Sequence, residues 1–221
     1  MRRKFLTLLI ALIIIINPIV SYGNDNLEKQ KIYTIGDLKE GLRSYILADY
    51  DTGEILEEHN IDEAVEIASI SKLMSFLLVM EKVEEGKISL QDIVKIDKNT
   101  TKIKGSSFKL KAGEEFTVKE LLDAAIVISG NDATYALAKY VAGTEEEFVK
   151  LMNQKAKELG LENAVFYNST GLPLNGSDLQ NKMTTREILK LSQYIIKNYP
   201  IILDISKIKA IEVKDRDFFQ I

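Results

Sequence analysis

The stretch IASISKLMSFLLVM, residues 67–80, joins a long apolar run to a serine and a lysine at its start. Its apolar residues would lie on nearly every side of a helix over residues 71–85, ending at Gly86, so that helix must be buried. Residues three apart lie on one helix face, so Ser69 and Lys72 can touch. Burial lowers the proton affinity of a lysine, which can then act as the base for a serine. The stretch therefore predicts a nucleophile and its base.

The pattern S-x-x-K is also common without such chemistry. It occurs three times in this chain, beginning at Ser69, Ser106 and Ser206, and only the first precedes a predicted buried helix. Taken alone, Ser69 could be a helix N-cap and Lys72 a lysine that reaches solvent, and this interpretation is the more frequent one. The chemistry therefore needs a second signal.

That second signal is Ser129-Gly130-Asn131, an S-x-N sequence between two predicted helices that occurs once in the chain. A turn of serine, glycine and asparagine is also ordinary between helices. On a rigid interhelical loop, however, a second serine could relay a proton and the amide of Asn131 could hold a substrate amide.

Turn and capping patterns predict the remaining elements, a strand hairpin followed by a helix-rich middle. Residues 42–60 indicate two antiparallel strands around the turn Asp51–Gly53, and residues 207–221 are β-prone. The last helix should stop before Pro200. Helix starts are predicted at the capping boxes Thr117–Glu120, Thr144–Glu147 and Thr184–Glu187, and at a cap formed by Asn131 or Asp132.

Composition excludes several classes of protein. The chain has 221 residues, of which 46% are hydrophobic, and a net charge of −4 with interspersed Lys and Glu, so a nucleic-acid partner is not expected. It contains no cysteine and one histidine, so neither a cysteine metal motif nor a multi-histidine metal site is expected. That residue, His59, lies in a polar stretch and is predicted to be on the surface.

Residues 1–23 have the layout of a secretory signal peptide. A basic start is followed by the apolar run Phe5–Ile16 and then by small residues. The alternative is an uncleaved membrane anchor, but the run is shorter than the roughly 20 residues that a spanning helix needs. The mature chain is expected to be residues 24–221, secreted outside the cytoplasm and touching the membrane only through the signal peptide.

The order of Ser69-x-x-Lys72 and Ser129-x-Asn131 resembles that of the penicillin-recognising serine acyltransferases. The flanking sequences sharpen the resemblance. IASISKLMSFLLVMEKVEEGKISLQDIV (67–94) and the segment from GSSFKLK to NSTGLP (105–173) are similar to the serine D-alanyl-D-alanine carboxypeptidases, the low-molecular-weight penicillin-binding proteins. The similarity runs from about Tyr45 to Pro200.

The resemblance implies an α+β fold of the β-lactamase/transpeptidase type, in which a helical subdomain packs against an antiparallel sheet. It also implies roles for four residues. Ser69 would attack the penultimate D-alanine carbonyl of a peptidoglycan stem peptide, and Lys72 would take its proton. Ser129 would pass a proton toward the leaving amine, and Asn131 would hydrogen-bond the substrate or Lys72. β-Lactam antibiotics would acylate the same serine, with no metal and no organic cofactor.

One family motif, K-T-G, is missing from this sequence. Lys111-Ala112-Gly113 is the nearest string, but it precedes Ser129 and lacks the hydroxyl. The missing strand would bind the substrate carboxylate and supply one oxyanion-hole N–H, whose loss typically costs about 10²- to 10³-fold in rate. We therefore expect residues 24–221 to be a carboxypeptidase domain without its C-terminal strands and helix, leaving the hairpin and the 71–85 helix short of cover.

Three interpretations follow from this departure. The chain is a truncated or interrupted copy of an active enzyme, which is the favoured interpretation, or a non-catalytic protein that binds wall peptides or penicillin. A class A β-lactamase is a weaker alternative, because those enzymes typically have S-D-N and a separate glutamate for deacylation, which the sequence does not clearly supply.

Overall fold

The computed structural model describes residues 41–173, 178–211 and 219–220 of the chain, the last pair by their backbone alone. The signal peptide predicted over residues 1–23 lies outside this part. No helix within the described ranges is long and apolar enough to cross a membrane.

Helices and short strands alternate along the described part. The strands are β1 (Tyr45–Ala48), β2 (Ile55–His59), β3 (Ala64–Glu66), β4 (Ile93–Lys95), β5 (Glu115–Thr117), β6 (Lys182–Thr184), β7 (Ala210–Ile211) and β8 (Phe219–Gln220). The α-helices are α1 (Lys72–Glu84), α2 (Val118–Val127), α3 (Asn131–Ala142), α4 (Glu145–Glu158), α5 (Thr185–Asn198) and α6 (Ile201–Ser206). Two 3₁₀ turns cover Ala68–Ser71 and Thr100–Lys102.

The strands pair antiparallel in twos: β1 with β2, β3 with β6, β4 with β5, and β7 with β8. The predicted hairpin is confirmed, since Tyr45 faces His59 across β1 and β2 and Gly53 takes a left-handed φ of 74° in the turn. His59 is exposed, as predicted, and its ring stacks on that of Tyr45. The β-prone end also forms strand, in the short pair β7–β8.

Helix α1 lies at the centre of the core. It begins one residue later than predicted, and it packs against α2, α3, α4 and α5. Met74, Leu77 and Val79 have no exposed surface, so the expectation that this helix would lack cover is wrong: the surrounding helices provide it. The hairpin does remain open, because Leu47 and Leu56 are 53% and 57% exposed.

Three predicted capping boxes form to different extents. At Thr117 and Thr184 the box is complete, with threonine and glutamate each bonding the other's backbone N–H. At Thr144 the side chain accepts a hydrogen bond from Glu147 N, but the Glu147 carboxylate pairs with Lys150 instead of closing the box. Local sequence therefore places all three helix starts correctly.

The start of α3 differs from the prediction. Gly130 is the N-cap, no side chain caps the helix, and Asn131 and Asp132 are its first two residues. Neither side chain stands at the predicted N-cap position, because both bond a distant loop, although Asp132 Oδ1 also accepts from Ala133 N in the first turn, at 2.9 Å. Pro200 ends the preceding helix region as expected, but it also leads directly into the short helix α6, which was not predicted.

Candidate active site

Ser69 and Lys72 meet at the junction of the first 3₁₀ turn and α1. Residues three apart are eclipsed in a 3₁₀ turn, and Lys72 Nζ donates a 3.0 Å hydrogen bond to Ser69 Oγ. Ser69 is exposed, whereas Lys72 is only 3% exposed. No serine side chain caps this helix start. The interpretation of an N-cap serine with a solvent-reaching lysine is therefore wrong.

The surroundings of Lys72 favour its neutral form. Burial lowers the pKa of Lys72 from its usual 10.5 to about 8. Its second hydrogen bond goes to a neutral acceptor, the Thr170 carbonyl oxygen, at 3.0 Å. A lysine with this pKa can accept a proton from a neighbouring hydroxyl at mildly alkaline pH.

The backbone on either side of this pair is unusually close. Ala68 has a left-handed φ of 42°, which a non-glycine residue rarely adopts. Gly171, with a φ of 83°, packs directly against it, and a Cβ added there would lie 1.8 Å from the Ala68 carbonyl oxygen. Only glycine allows this approach, which sets the conformation of the residue immediately before Ser69.

The loop that carries Thr170 and Gly171 is built around Asn168. Its Oδ1 accepts hydrogen bonds from Thr170 N, at 3.1 Å, and from Gly171 N, at 2.6 Å. The side chain of Glu145 holds the same loop by accepting from both the N–H and the hydroxyl of Ser169. The lysine's carbonyl partner is thus presented by a rigid turn.

Two further side chains attach this loop to the start of α1. Ser75 Oγ donates to the Ser169 carbonyl at 2.7 Å. Asn181, 1% exposed, donates from Nδ2 to Ser71 Oγ and to the Asn168 carbonyl, both at 2.9 Å. Sequence reasoning missed these contacts, although the string Asn-Ser-Thr-Gly is a turn signal that could have drawn attention to the loop.

The turn Ser129-Gly130-Asn131 supplies the other half of the site. Asn131 Nδ2 donates to the Lys104 carbonyl at 2.8 Å, whereas Ser129 Oγ and Asn131 Oδ1 are buried without a hydrogen-bond partner. Of the two partners predicted for Asn131, Lys72 is not bonded to it, because Lys72 donates to Ser69 and Thr170; the substrate stays a prediction. The two halves are joined through the packing of α3 against α1.

Asp132 holds the loop that contacts this turn. Its buried carboxylate accepts hydrogen bonds from Ser107 Oγ and Phe108 N, both at 2.8 Å, and from Leu110 N at 3.0 Å. Gly105 lies in the same loop, and a Cβ there would come within 2.7 Å of the Asn131 amide nitrogen. Asp132 was considered only as a possible cap in the sequence.

The described residues offer no cluster of three histidine, aspartate or glutamate side chains that could hold a metal ion. An exposed serine hydroxyl bonded to a buried lysine of lowered pKa is instead the arrangement of a serine acyl-transfer site with a lysine base.

Comparison with known proteins identifies the family within that class. The family model for D-alanyl-D-alanine carboxypeptidases matches residues 34–220, and the chain belongs to this family. It is 39% identical over 193 residues to the D-alanyl-D-alanine carboxypeptidase DacF of Bacillus subtilis, covering 86% of this chain and 48% of the relative. Against DacC of Escherichia coli the identity is 38%, over 72% of this chain and 40% of the relative.

Solved structures confirm the predicted α+β, transpeptidase-like fold. The carboxypeptidase DacD from Francisella tularensis is 35% identical, with a TM-score of 0.71 over 76% of this chain and 40% of that one. Penicillin-binding protein D2 from Listeria monocytogenes, in its ampicillin-bound form, is 26% identical, with a TM-score of 0.70 over 80% of this chain and 70% of that one. The chain thus spans about half the length, or less, of the curated relatives that it matches.

Proposed function

We propose that this chain acts as a serine D-alanyl-D-alanine carboxypeptidase, removing the terminal D-alanine from peptidoglycan stem peptides through an acyl-enzyme on Ser69. The observation that carries the proposal is the 3.0 Å contact between Lys72 Nζ and Ser69 Oγ, with the lysine buried and the serine exposed. Membership in the carboxypeptidase family supports the choice of substrate.

In the acylation step, Ser69 Oγ attacks the carbonyl carbon of the penultimate D-alanine while neutral Lys72 takes the hydroxyl proton. The hydrogen bond from Lys72 Nζ to the Thr170 carbonyl keeps Nζ beside Ser69 while the lysine gains the proton and its positive charge. The tetrahedral intermediate then collapses, the peptide C–N bond breaks, and D-alanine leaves with a proton delivered through Ser129. Water hydrolyses the ester and regenerates the serine.

The Ser129–Asn131 turn is suited to meet the substrate. Buried polar atoms normally have hydrogen-bond partners, and two without partners in one turn indicate a place for a ligand. We assign Asn131 Oδ1 to an N–H of the substrate backbone and Ser129 Oγ to the proton path toward the leaving amine. β-Lactams would acylate Ser69 in the same way, and the ampicillin-bound relative from Listeria supports this extension.

Export is part of the proposal, because peptidoglycan lies outside the cytoplasm. Residues 1–23 would direct secretion as a signal peptide, leaving a carboxypeptidase domain over residues 24–221. Fractionation and mass spectrometry test this: an N-terminus at residue 24 in the extracytoplasmic fraction supports export with cleavage, one at Met1 contradicts cleavage, and absence of the protein from that fraction contradicts export.

The activity is tested by labelling the purified chain with a fluorescent penicillin and by measuring D-alanine released from a D-Ala-D-Ala peptide. We expect both signals, and we expect Ser69→Ala to abolish both. Ser206→Ala is the matched control, since Ser206 also begins an S-x-x-K sequence but lies in the helix α6. Labelling that persists in Ser69→Ala would refute the assignment of the nucleophile.

The same experiment separates the other interpretations. Labelling without D-alanine release indicates a protein that binds penicillin or wall peptides without turnover. Rapid release of hydrolysed penicillin, with no action on the peptide, indicates a β-lactamase. Release of D-alanine together with slow loss of the label indicates the carboxypeptidase.

A further inference from the structure

A cavity of about 370 Å³ adjoins both halves of the candidate active site. Two carbonyl groups connect it to the catalytic side chains: that of Lys104 accepts from Asn131 Nδ2, and that of Thr170 accepts from Lys72 Nζ. Its lining residues come mainly from two segments: Lys102, Ile103 and Lys104 form the first wall, and Asn168, Thr170 and Leu172 form the second. The cavity is therefore lined by the residues that accept hydrogen bonds from Lys72, the partner of Ser69, and from Asn131.

The charge on the first wall is unusual for this protein. Residues 98–113 contain five lysines and no aspartate or glutamate, in a chain of net charge −4. Lys102 and Lys104 are exposed and line the cavity. The Lys102 ammonium makes only a long, 3.4 Å contact with Asn99 Oδ1, and neither lysine forms an ion pair within the described ranges.

The two ammonium groups outnumber the acidic side chains in the described lining of the cavity. Glu145 is the one carboxylate among those described residues, and its Oε1 accepts hydrogen bonds from the N–H and hydroxyl of Ser169. Ile103 and Leu172 provide partly buried apolar surface beside the lysines. Cations above an apolar wall suit a ligand that carries a carboxylate on an aliphatic stem.

On the basis of the proposed function, we propose that this cavity binds the part of the substrate that precedes the scissile bond. Lys102 and Lys104 select substrates that carry a carboxylate in that part. The preferred substrate is thus an acidic peptide, and amidation of its carboxylate weakens its binding. The ion pairs between these lysines and the substrate carboxylate would be partly exposed to solvent. Each lysine is therefore expected to raise the preference for the acidic substrate by a factor of about three to five.

Benzylpenicillin and carbenicillin test this directly, because their side chains differ by one carboxylate. The measurement is the ratio of their second-order rate constants for acylation of the full chain, carbenicillin over benzylpenicillin. We expect Lys104→Gln and Lys102→Gln each to lower this ratio about three- to fivefold, and the double variant to lower it about tenfold. Taking a ratio cancels effects that the substitutions have on both compounds.

Lys98→Gln is the matched control, since Lys98 belongs to the same lysine-rich segment but does not line the cavity. It should leave the ratio unchanged, whereas added salt should lower the ratio of the unaltered chain by screening. An unchanged ratio in the double variant, or an equal fall in Lys98→Gln, would overturn the proposal.

Absence of acylation by benzylpenicillin would count against the proposed function rather than against the cavity. A separate readout then decides: calorimetric binding, to the Ser69→Ala chain, of γ-D-glutamyl-L-lysyl-D-alanyl-D-alanine and of its α-carboxamide. Tighter binding of the free acid, lost in the Lys102/Lys104 double variant, supports the cavity. Equal binding of the two peptides contradicts it.

Discussion

The two halves of the candidate site differ in how completely their polar atoms are bonded. Lys72 Nζ has partners in Ser69 and Thr170, and the loop around Thr170 is held by Asn168 and Asn181. The Ser129–Asn131 turn instead leaves two buried oxygens without partners. This difference fits the proposed roles, in which the first half transfers a proton and the second binds a ligand.

Both halves contain a residue in a rare backbone conformation. Ala68, before the proposed nucleophile Ser69, has a φ of 42°, and Ser129 has a φ of 55°. Such conformations persist only where surrounding contacts enforce them, and they cluster at functional sites. The comparison therefore predicts that damage to the first half abolishes chemistry, and that damage to the second half mainly weakens binding.

The largest effect is expected from Lys72→Met, which removes the base but retains an unbranched buried side chain. Acylation by a fluorescent penicillin should slow by about 10³-fold, within the usual range for general bases of about 10²–10⁴. Circular dichroism should show a folded protein. A rate within tenfold of the unaltered chain would mean that Lys72 is not the base.

Gly171→Ala disturbs the backbone of the same half of the site. The added Cβ would lie 1.8 Å from the Ala68 carbonyl oxygen, so the residues beside Ser69 must move. A displacement of this size is expected to slow acylation by about 10²-fold and to lower the melting temperature.

Gly86→Ala is the matched control for this substitution. Gly86 has a similar left-handed φ of 67°, but a Cβ there would meet no atom within 4 Å. It should cost only the conformational strain, about 1–2 kcal/mol of stability, and leave acylation intact. Equal effects of the two substitutions would refute the special role of the contact between Gly171 and Ala68.

Asn131→Ala tests the second half of the site. It removes Asn131 Oδ1, the acceptor that has no partner, and it leaves the Lys104 carbonyl without its donor. We therefore expect the efficiency of acylation by penicillin to fall about 10- to 100-fold. The loss should fall mainly on the concentration of penicillin needed for half-maximal rate. Asn153→Ala, which removes an amide that ties Phe166 to α4 and touches neither Ser129 nor Asn131, should lower stability without this kinetic change.

The pH dependence of the first half gives the smallest change per step, about tenfold for each pH unit. Because burial lowers the Lys72 pKa to about 8, acylation should rise about tenfold per pH unit below that value and level off above it. The unfolded chain keeps the ordinary pKa of 10.5 and binds more protons between pH 8 and 10.5, so the stability contribution of Lys72 should rise across this window. A flat rate profile between pH 6 and 8 would contradict the assignment.

Local signals in the sequence predicted much of this architecture. The hairpin, the buried helix α1 and the capped helix starts follow from turn residues, apolar periodicity and Thr-x-x-Glu boxes, all of which act within a few residues. The proximity of Ser69 and Lys72 is likewise local, because it depends only on helical geometry.

Predictions failed where distant segments compete for a side chain. Asp132 was expected as a possible cap, but its carboxylate bonds Phe108 and Leu110, more than twenty residues away in sequence. Asn131 was given Lys72 as one possible partner, but Lys72 Nζ donates to Ser69 and to the Thr170 carbonyl and leaves Asn131 Oδ1 unbonded. In both cases a contact with a distant segment decided which partner the side chain has.

The amino-acid sequence alone was enough to predict the order of the two motifs and the starts of most helices, and it offered the pairing of a serine with a lysine as one of two interpretations. The folded structure was needed to show that Lys72 itself is buried, that Thr170 accepts its second hydrogen bond across 98 residues of sequence, and that Gly171 contacts the residue before Ser69. The physical reason is range: helical spacing and capping act over one turn, whereas desolvation and backbone contact depend on which distant segments the folded core brings together.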